Sequence, residues 1–121
     1  MKVIIDLIED IRESIANAES FELRAGLLKT DPEDSNRLIY AGEVPLSGYR
    51  LDKEEKKLYF EIDGSDRKLI VGDIIPELLI LDMDMMMYEI RLDINVQYRD
   101  MEIVGFGKNE AQESCLLFVA H

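Results

Sequence analysis

Cysteine, histidine, tryptophan and proline are nearly missing from this sequence. Its 121 residues hold one Cys, one His, no Trp and three Pro. One Cys excludes an internal disulfide and a cysteine-rich zinc site. Cys115 stands in the apolar run Ser114-Cys115-Leu116-Leu117-Phe118 and reads as a small buried hydrophobe. A nucleophilic role would need a neighbouring base. The one His, His121, is the last residue, where chain ends fray, so neither a Cys/His pair nor a Ser/His/Asp set is supported.

Long apolar runs are lacking too. Acidic residues Asp6, Glu9 and Asp10 interrupt the N-terminal stretch. A signal peptide needs an unbroken apolar region of roughly 7–15 residues. A membrane span needs about 20 residues, and no such run exists. The expectation is a cytoplasmic protein with no membrane partner.

Basic residues are scarce: 14 Lys and Arg stand against 26 Asp and Glu, a formal net charge of −12. Nucleic-acid binding begins with Lys and Arg neutralising phosphates. The longest basic runs are the pairs Lys56-Lys57 and Arg67-Lys68, so direct nucleic-acid binding is not expected. Solubility accounts for the acidity, and a basic protein partner would exploit it.

What is present suits one globular domain over residues 1–121. Hydrophobic residues make up 47% and charged residues 33% of the chain. A chain of this size buries roughly two-thirds of its unfolded surface. Ile4, Leu7, Ile8, Ile11 and Ile15 recur at helical spacing and predict an amphipathic helix over residues 3–17.

Strand patterns follow. Residues 21–29 and 37–41 are strand candidates around a turn rich in Asp, Pro, Ser and Asn. Gly42, Pro45 and Gly48 punctuate what comes next. Residues 49–62 alternate around a charged loop and predict a hairpin. A short strand is expected at residues 68–71. Residues 73–81 are apolar nearly all round, and read as a short helix capped by Asp73 and then a strand.

Residues 88–99 alternate without exception: Tyr88, Ile90, Leu92, Ile94, Val96 and Tyr98 on one phase, charged or amide residues on the other. That predicts one long half-buried strand. A tight turn at Arg99-Asp100 would pair it with residues 101–107, setting Tyr98 opposite Met101 and Val96 opposite Ile103. Residues 114–120 are apolar on both phases and predict a strand deep in the sheet. The expected fold class is α+β: an N-terminal amphipathic helix packed on a mainly antiparallel meander sheet or partial barrel of about six to eight strands.

Three motifs invite chemistry. Asp82 and Asp84 are candidate ligands for Mg²⁺ or Ca²⁺, and the adjacent Met side chains for Cu(I). A carboxylate pair lacking a third ligand is a weak site, and no cofactor is expected. Gly105-Phe106-Gly107-Lys108 is too short for a phosphate loop, so its glycines are read as permitting a bend or a close backbone approach. On the expected register, Met85, Met87, Val104 and Phe106 share the wet sheet face, where apolar residues mark an interface. A bulge near Gly105 would instead turn Val104 and Phe106 inward.

The functional expectation is a non-catalytic protein-interaction module: an adaptor, inhibitor, immunity or chaperone-like subunit, self-associating as a homodimer or binding a protein partner. An enzyme is the less favoured class. The alternative is a small-molecule or divalent-metal-binding domain with a site near Asp82 and Asp84.

Overall fold

The structure is a computed structural model that describes residues 1–14 and 18–120. Ile15, the expected end of the first helix at Asn17, and His121 lie outside the described residues. Among the described residues, two α-helices and eight strands in two mixed four-stranded sheets make the fold α+β, with neither sheet closed into a barrel.

Helix α1 (Ile4–Ser14) buries Ile4, Leu7, Ile8 and Ile11, the face its periodicity predicts. Val3 precedes it and has no capping oxygen. Asp6 supplies one by accepting a hydrogen bond from the Val3 N–H at 2.9 Å. The same end is stitched to the strand that follows residue 88: Ile4 N–H donates to the Tyr88 carbonyl and Ile90 N–H to the Lys2 carbonyl.

The first sheet has the order β2-β1-β8-β7, from β1 (Glu22–Asp31), β2 (Asp34–Pro45), β7 (Gly105–Asn109) and β8 (Ser114–Ala120). The second has the order β3-β4-β5-β6, from β3 (Gly48–Asp52), β4 (Lys57–Glu61), β5 (Glu89–Asp93) and β6 (Met101–Glu102). Each has a parallel pair at its centre, β1 with β8 and β4 with β5, flanked by antiparallel edges. The expected meander is therefore corrected. Helix α2 (Val71–Leu79) makes the crossover between β4 and β5. One core cluster draws on both helices and both sheets, with Leu23, Leu117, Phe60 and Leu92 among its members. No helix among the described residues is long and apolar enough to cross a membrane.

Five local expectations need correction. The long strand over residues 88–99 stops at Asp93 because Asn95 Oδ1 accepts the N–H groups of Gln97 (2.9 Å) and Tyr98 (3.1 Å). That side-chain turn competes with strand pairing, and it leaves Val96 88% exposed despite its apolar phase. The observed register sets Leu92, not Tyr98, opposite Met101. Residues 101–107 do not make one strand: after β6 the chain changes sheets, and β7 pairs with β8. Residues 68–71 hold one isolated bridge, Ile70 with Glu22, in place of a strand. Beyond α2, whose N-cap is Ile70 rather than Asp73, a turn replaces the expected strand.

The strand read as residues 37–41 runs from Asp34 to Pro45, through the expected breakers. A bulge admits it: the register skips Ala41, and Gly42 takes φ +127°. The extra residue puts Tyr40 and Glu43 on the same face, away from the core. There Glu43 receives four donors: Arg24 Nη1 at 3.2 Å, Ser114 Oγ at 2.9 Å, Tyr40 OH at 2.8 Å and Asn109 Nδ2 at 3.0 Å. These partners come from all four strands of the sheet. Arg24 also forks onto the buried Glu22 at 2.9 and 3.2 Å. Beside this network the Phe118 ring lies flat across the strands. A Cβ at Gly26 would stand 2.6 Å from its Cδ1, and Gly107 gives the ring the same clearance on the other side.

Two outcomes follow from this architecture. Truncating the buried Ile11 to Ala should cost roughly 2–5 kcal/mol in chemical denaturation; no loss would mean that α1 packs on another face. The Glu43 carboxyl is pushed up by burial, but the donors from Tyr40, Ser114 and Asn109 and the Arg24 charge outweigh that and hold it below its ordinary 4.5. A lowered folded pKa stabilises above the unfolded value and is lost as pH falls through the folded one. Glu43→Gln should thus cost roughly 1–3 kcal/mol at neutral pH. The variant should also lose less stability than the wild type on acidification below 4.5.

Candidate functional site

The segment between α2 and β5 carries the densest exposed apolar chemistry in the protein. Its turn is built by the backbone. The Asp82 carbonyl accepts the N–H groups of Met85 (2.9 Å) and Met86 (3.3 Å), and Tyr88 N–H donates to the Met85 carbonyl at 3.0 Å. A 3₁₀ turn over Met85–Met87 results. Leu78, Leu81, Met86 and Tyr88 pack inward on the core and hold this turn down. Three other apolar side chains face water: Ile80 is 84% exposed, Met83 86% and Met87 63%. A cavity of about 440 Å³ opens between Met83 and Met87, bounded by Asp84, Tyr88 and Lys56. Asp82 and Asp84 are exposed on the same turn.

The residues singled out in the sequence fall in several places. Met85 and Met87 both sit on the turn, Met85 half-buried and Met87 outward. Val104 lies where the chain changes sheets and is half-exposed. Phe106 is on the inward side of β7, packed against the core, with the Lys2 ammonium 5.5 Å from its ring centre. The single sheet face expected to gather all four is not formed, because β7 pairs with β8 instead of β5.

Ile80 and Met83 were not among the expected site residues, yet they are more exposed than any of the four. Ile80 was hidden inside an apolar run that reads as buried. The available signal was the α2 pattern itself: Val71, Ile74, Ile75 and Leu78 complete one buried helical face, and Ile80 lies off that face.

Asp82 and Asp84 lie on a turn and not on one strand face. Among the described residues no group of three or more His, Cys, Asp or Glu side chains could hold a metal ion. Cys115 is buried on the core side of β8, and burial pushes its thiol pKa up.

A second cavity, of about 300 Å³, is lined by Pro45, Leu46 and Ile62 beside Arg24, Arg67 and Lys68. Two of its cations are engaged: Arg24 by Glu22 and Glu43, Arg67 by Glu77 at 3.4 Å. Glu77 also accepts the Tyr49 hydroxyl. Burial and that bond push Tyr49 up to about 12. The adjoining loop is pinned by Asp63, whose carboxyl the hydroxyl and N–H of Ser65 and the hydroxyl of Ser47 hold down to about 2. This cavity reads as a structural joint.

No protein-family model, curated protein or solved structure matches this chain.

The division of the turn into anchor and display is testable by stability. Ile80→Ser and Met83→Ser should each change unfolding free energy by less than about 0.5 kcal/mol, as exposed positions do. Met86→Ala should cost about 1–3 kcal/mol. Equal losses at all three positions would show that Ile80 and Met83 are covered.

Proposed function

We propose that this protein is a non-catalytic protein-interaction module that captures a segment both apolar and basic on its methionine turn. The observation that carries this reading is the outward display of Ile80, Met83 and Met87 on one anchored segment, with Met83 and Met87 bordering a cavity. Thioether side chains are polarizable and flexible, so such a surface moulds to partners of different shape. Asp82 and Asp84 flank it and would meet Lys or Arg on the partner. The net charge of −12 would speed the encounter of a basic partner. An adaptor, inhibitor, immunity or chaperone-like subunit would each use such a surface. One buried thiol suits a reducing compartment such as the cytoplasm.

The alternative, a divalent-cation or small-molecule site, has one observation in its favour: Asp84 borders the 440 Å³ cavity. A calcium or magnesium titration that shifts the NMR signals of Asp82 and Asp84 at micromolar metal would favour it.

The chain has no Trp, so one Trp in a synthetic peptide reports binding without background. The probe is an amphipathic helical peptide of lysine and leucine with one Trp on its apolar face. Wild type should shift its emission to the blue and bind at roughly micromolar Kd. Ile80→Glu with Met83→Glu should weaken binding about tenfold or more, and the glutamate analogue of the peptide should not bind. Unchanged binding by the double variant, or equal binding of both peptides, overturns the proposal.

A further inference from the structure

The structural joint around the cavity of about 300 Å³ satisfies all of its lining charges but two. Glu22 and Arg24 bind each other, and Arg67 is held by Glu77. Asp66 and Lys68 line the same cavity. Neither makes a hydrogen bond or an ion pair with the other or with any further described residue. Two opposite, unpaired charges therefore stand at one opening. Pro45, Leu46 and Ile62 give that opening an apolar wall, and Ile62 is 42% exposed, so apolar area is available to an occupant.

The loop that presents the two charges is pinned at both ends and in its middle. Ser47 Oγ donates to the Asp63 carboxylate at 2.8 Å and accepts the Asp63 N–H at 2.8 Å. Ser65 N–H returns to Asp63 Oδ1 at 2.9 Å, and Arg67 N–H donates to Ser65 Oγ at 3.3 Å. At the far end Leu69 is fully buried, and its carbonyl accepts the Leu23 N–H at 2.7 Å. A loop already held in this way has little freedom left to lose on binding.

We propose that this cavity binds a free α-amino acid with an aliphatic side chain. Its ammonium would meet Asp66, its carboxylate Lys68, and its side chain Pro45, Leu46 and Ile62. The two unpaired charges select this class. An anion alone would meet Asp66 as a like charge, and a cation alone would meet Lys68 in the same way. A neutral hydrocarbon would take water from both charges and return nothing. A zwitterion matches both, and its aliphatic side chain matches the wall. Size agrees: ligand pockets span roughly 300–1,000 Å³. At about 300 Å³ this one is small for a nucleotide and ample for an amino acid. It shares no lining residue with the cavity at Met83 and Met87.

The test is a titration of the full chain with L-leucine, followed by amide NMR. Leucine should move the signals of residues 62–68 and saturate with a Kd of roughly 1 mM or tighter. Leucinamide lacks the carboxylate and N-acetylleucine lacks the ammonium, so each should bind about tenfold or more weakly. These two probes also stand for the ends of a peptide chain. Binding of either as tight as that of leucine overturns the assignment to a free amino acid. Lys68→Gln should weaken leucine about tenfold without weakening leucinamide, and Asp66→Asn should weaken leucine likewise without weakening N-acetylleucine. Both positions are exposed, so both variants should keep the wild-type melting curve. Ile80→Glu should bind leucine as wild type does, which separates this cavity from the methionine turn. No movement of residues 62–68 at about 10 mM leucine overturns the inference. So does leucine binding that neither charge variant weakens.

Discussion

Parallel pairing of β1 with β8 ties Glu22 through Leu28 to Ser114 through Ala120, and the rest of the fold hangs from it. A parallel pair cannot be closed by a hairpin, so a long connection must run between its strands. Here that connection contains the whole second sheet and α2. The core faces of both sheets can merge only because the chain leaves the first sheet after Pro45 and returns to it at Gly105. Such a contact is expensive in chain entropy before it forms, and folds dominated by distant pairings form slowly. The interactions around it are correspondingly dense: β8 is buried on both faces through most of its length, and Glu43 ties together the strands on either side of it.

What the sequence disclosed about this fold was local. Helix α1 and the hairpin of β3 and β4 follow directly from spacing, since their partners are their own neighbours along the chain. The double-phase apolarity of residues 114–120 also reported their central place in a sheet correctly. Strand order could not be read, because period-two alternation looks the same in a meander and in a sheet with a parallel centre. Where local signals failed, a short-range competitor had won. Asn95 folded its amide oxygen onto the next turn and ended a strand with a flawless alternation. At Ala41-Gly42 one extra residue was absorbed, which let β2 run through apparent breakers.

The candidate surface was legible by its oddness and not by its geometry. A run of four Met in five residues beside two Asp stood out. Assigning it to a strand distributed the side chains wrongly, and drew in Val104 and Phe106 from a segment that pairs elsewhere. A turn distributes them differently: Met86 goes to the core, while Met83 and Met87 go to water. Ile80 joined them because α2 ends just before it, and the end of a helix is harder to place from sequence than its existence.

That split among neighbouring methionines also ranks them by susceptibility to oxidants. Peroxide converts an exposed thioether to a sulfoxide, which is polar and chiral. Met83 and Met87 would be modified ahead of Met86, whose sulfur is packed against the core. Within this segment, the first oxygen atoms taken up would therefore turn the displayed surface hydrophilic while leaving the anchor beneath it intact. Reductases that act on sulfoxides would restore it, so the polarity of this turn is coupled to the redox history of the protein.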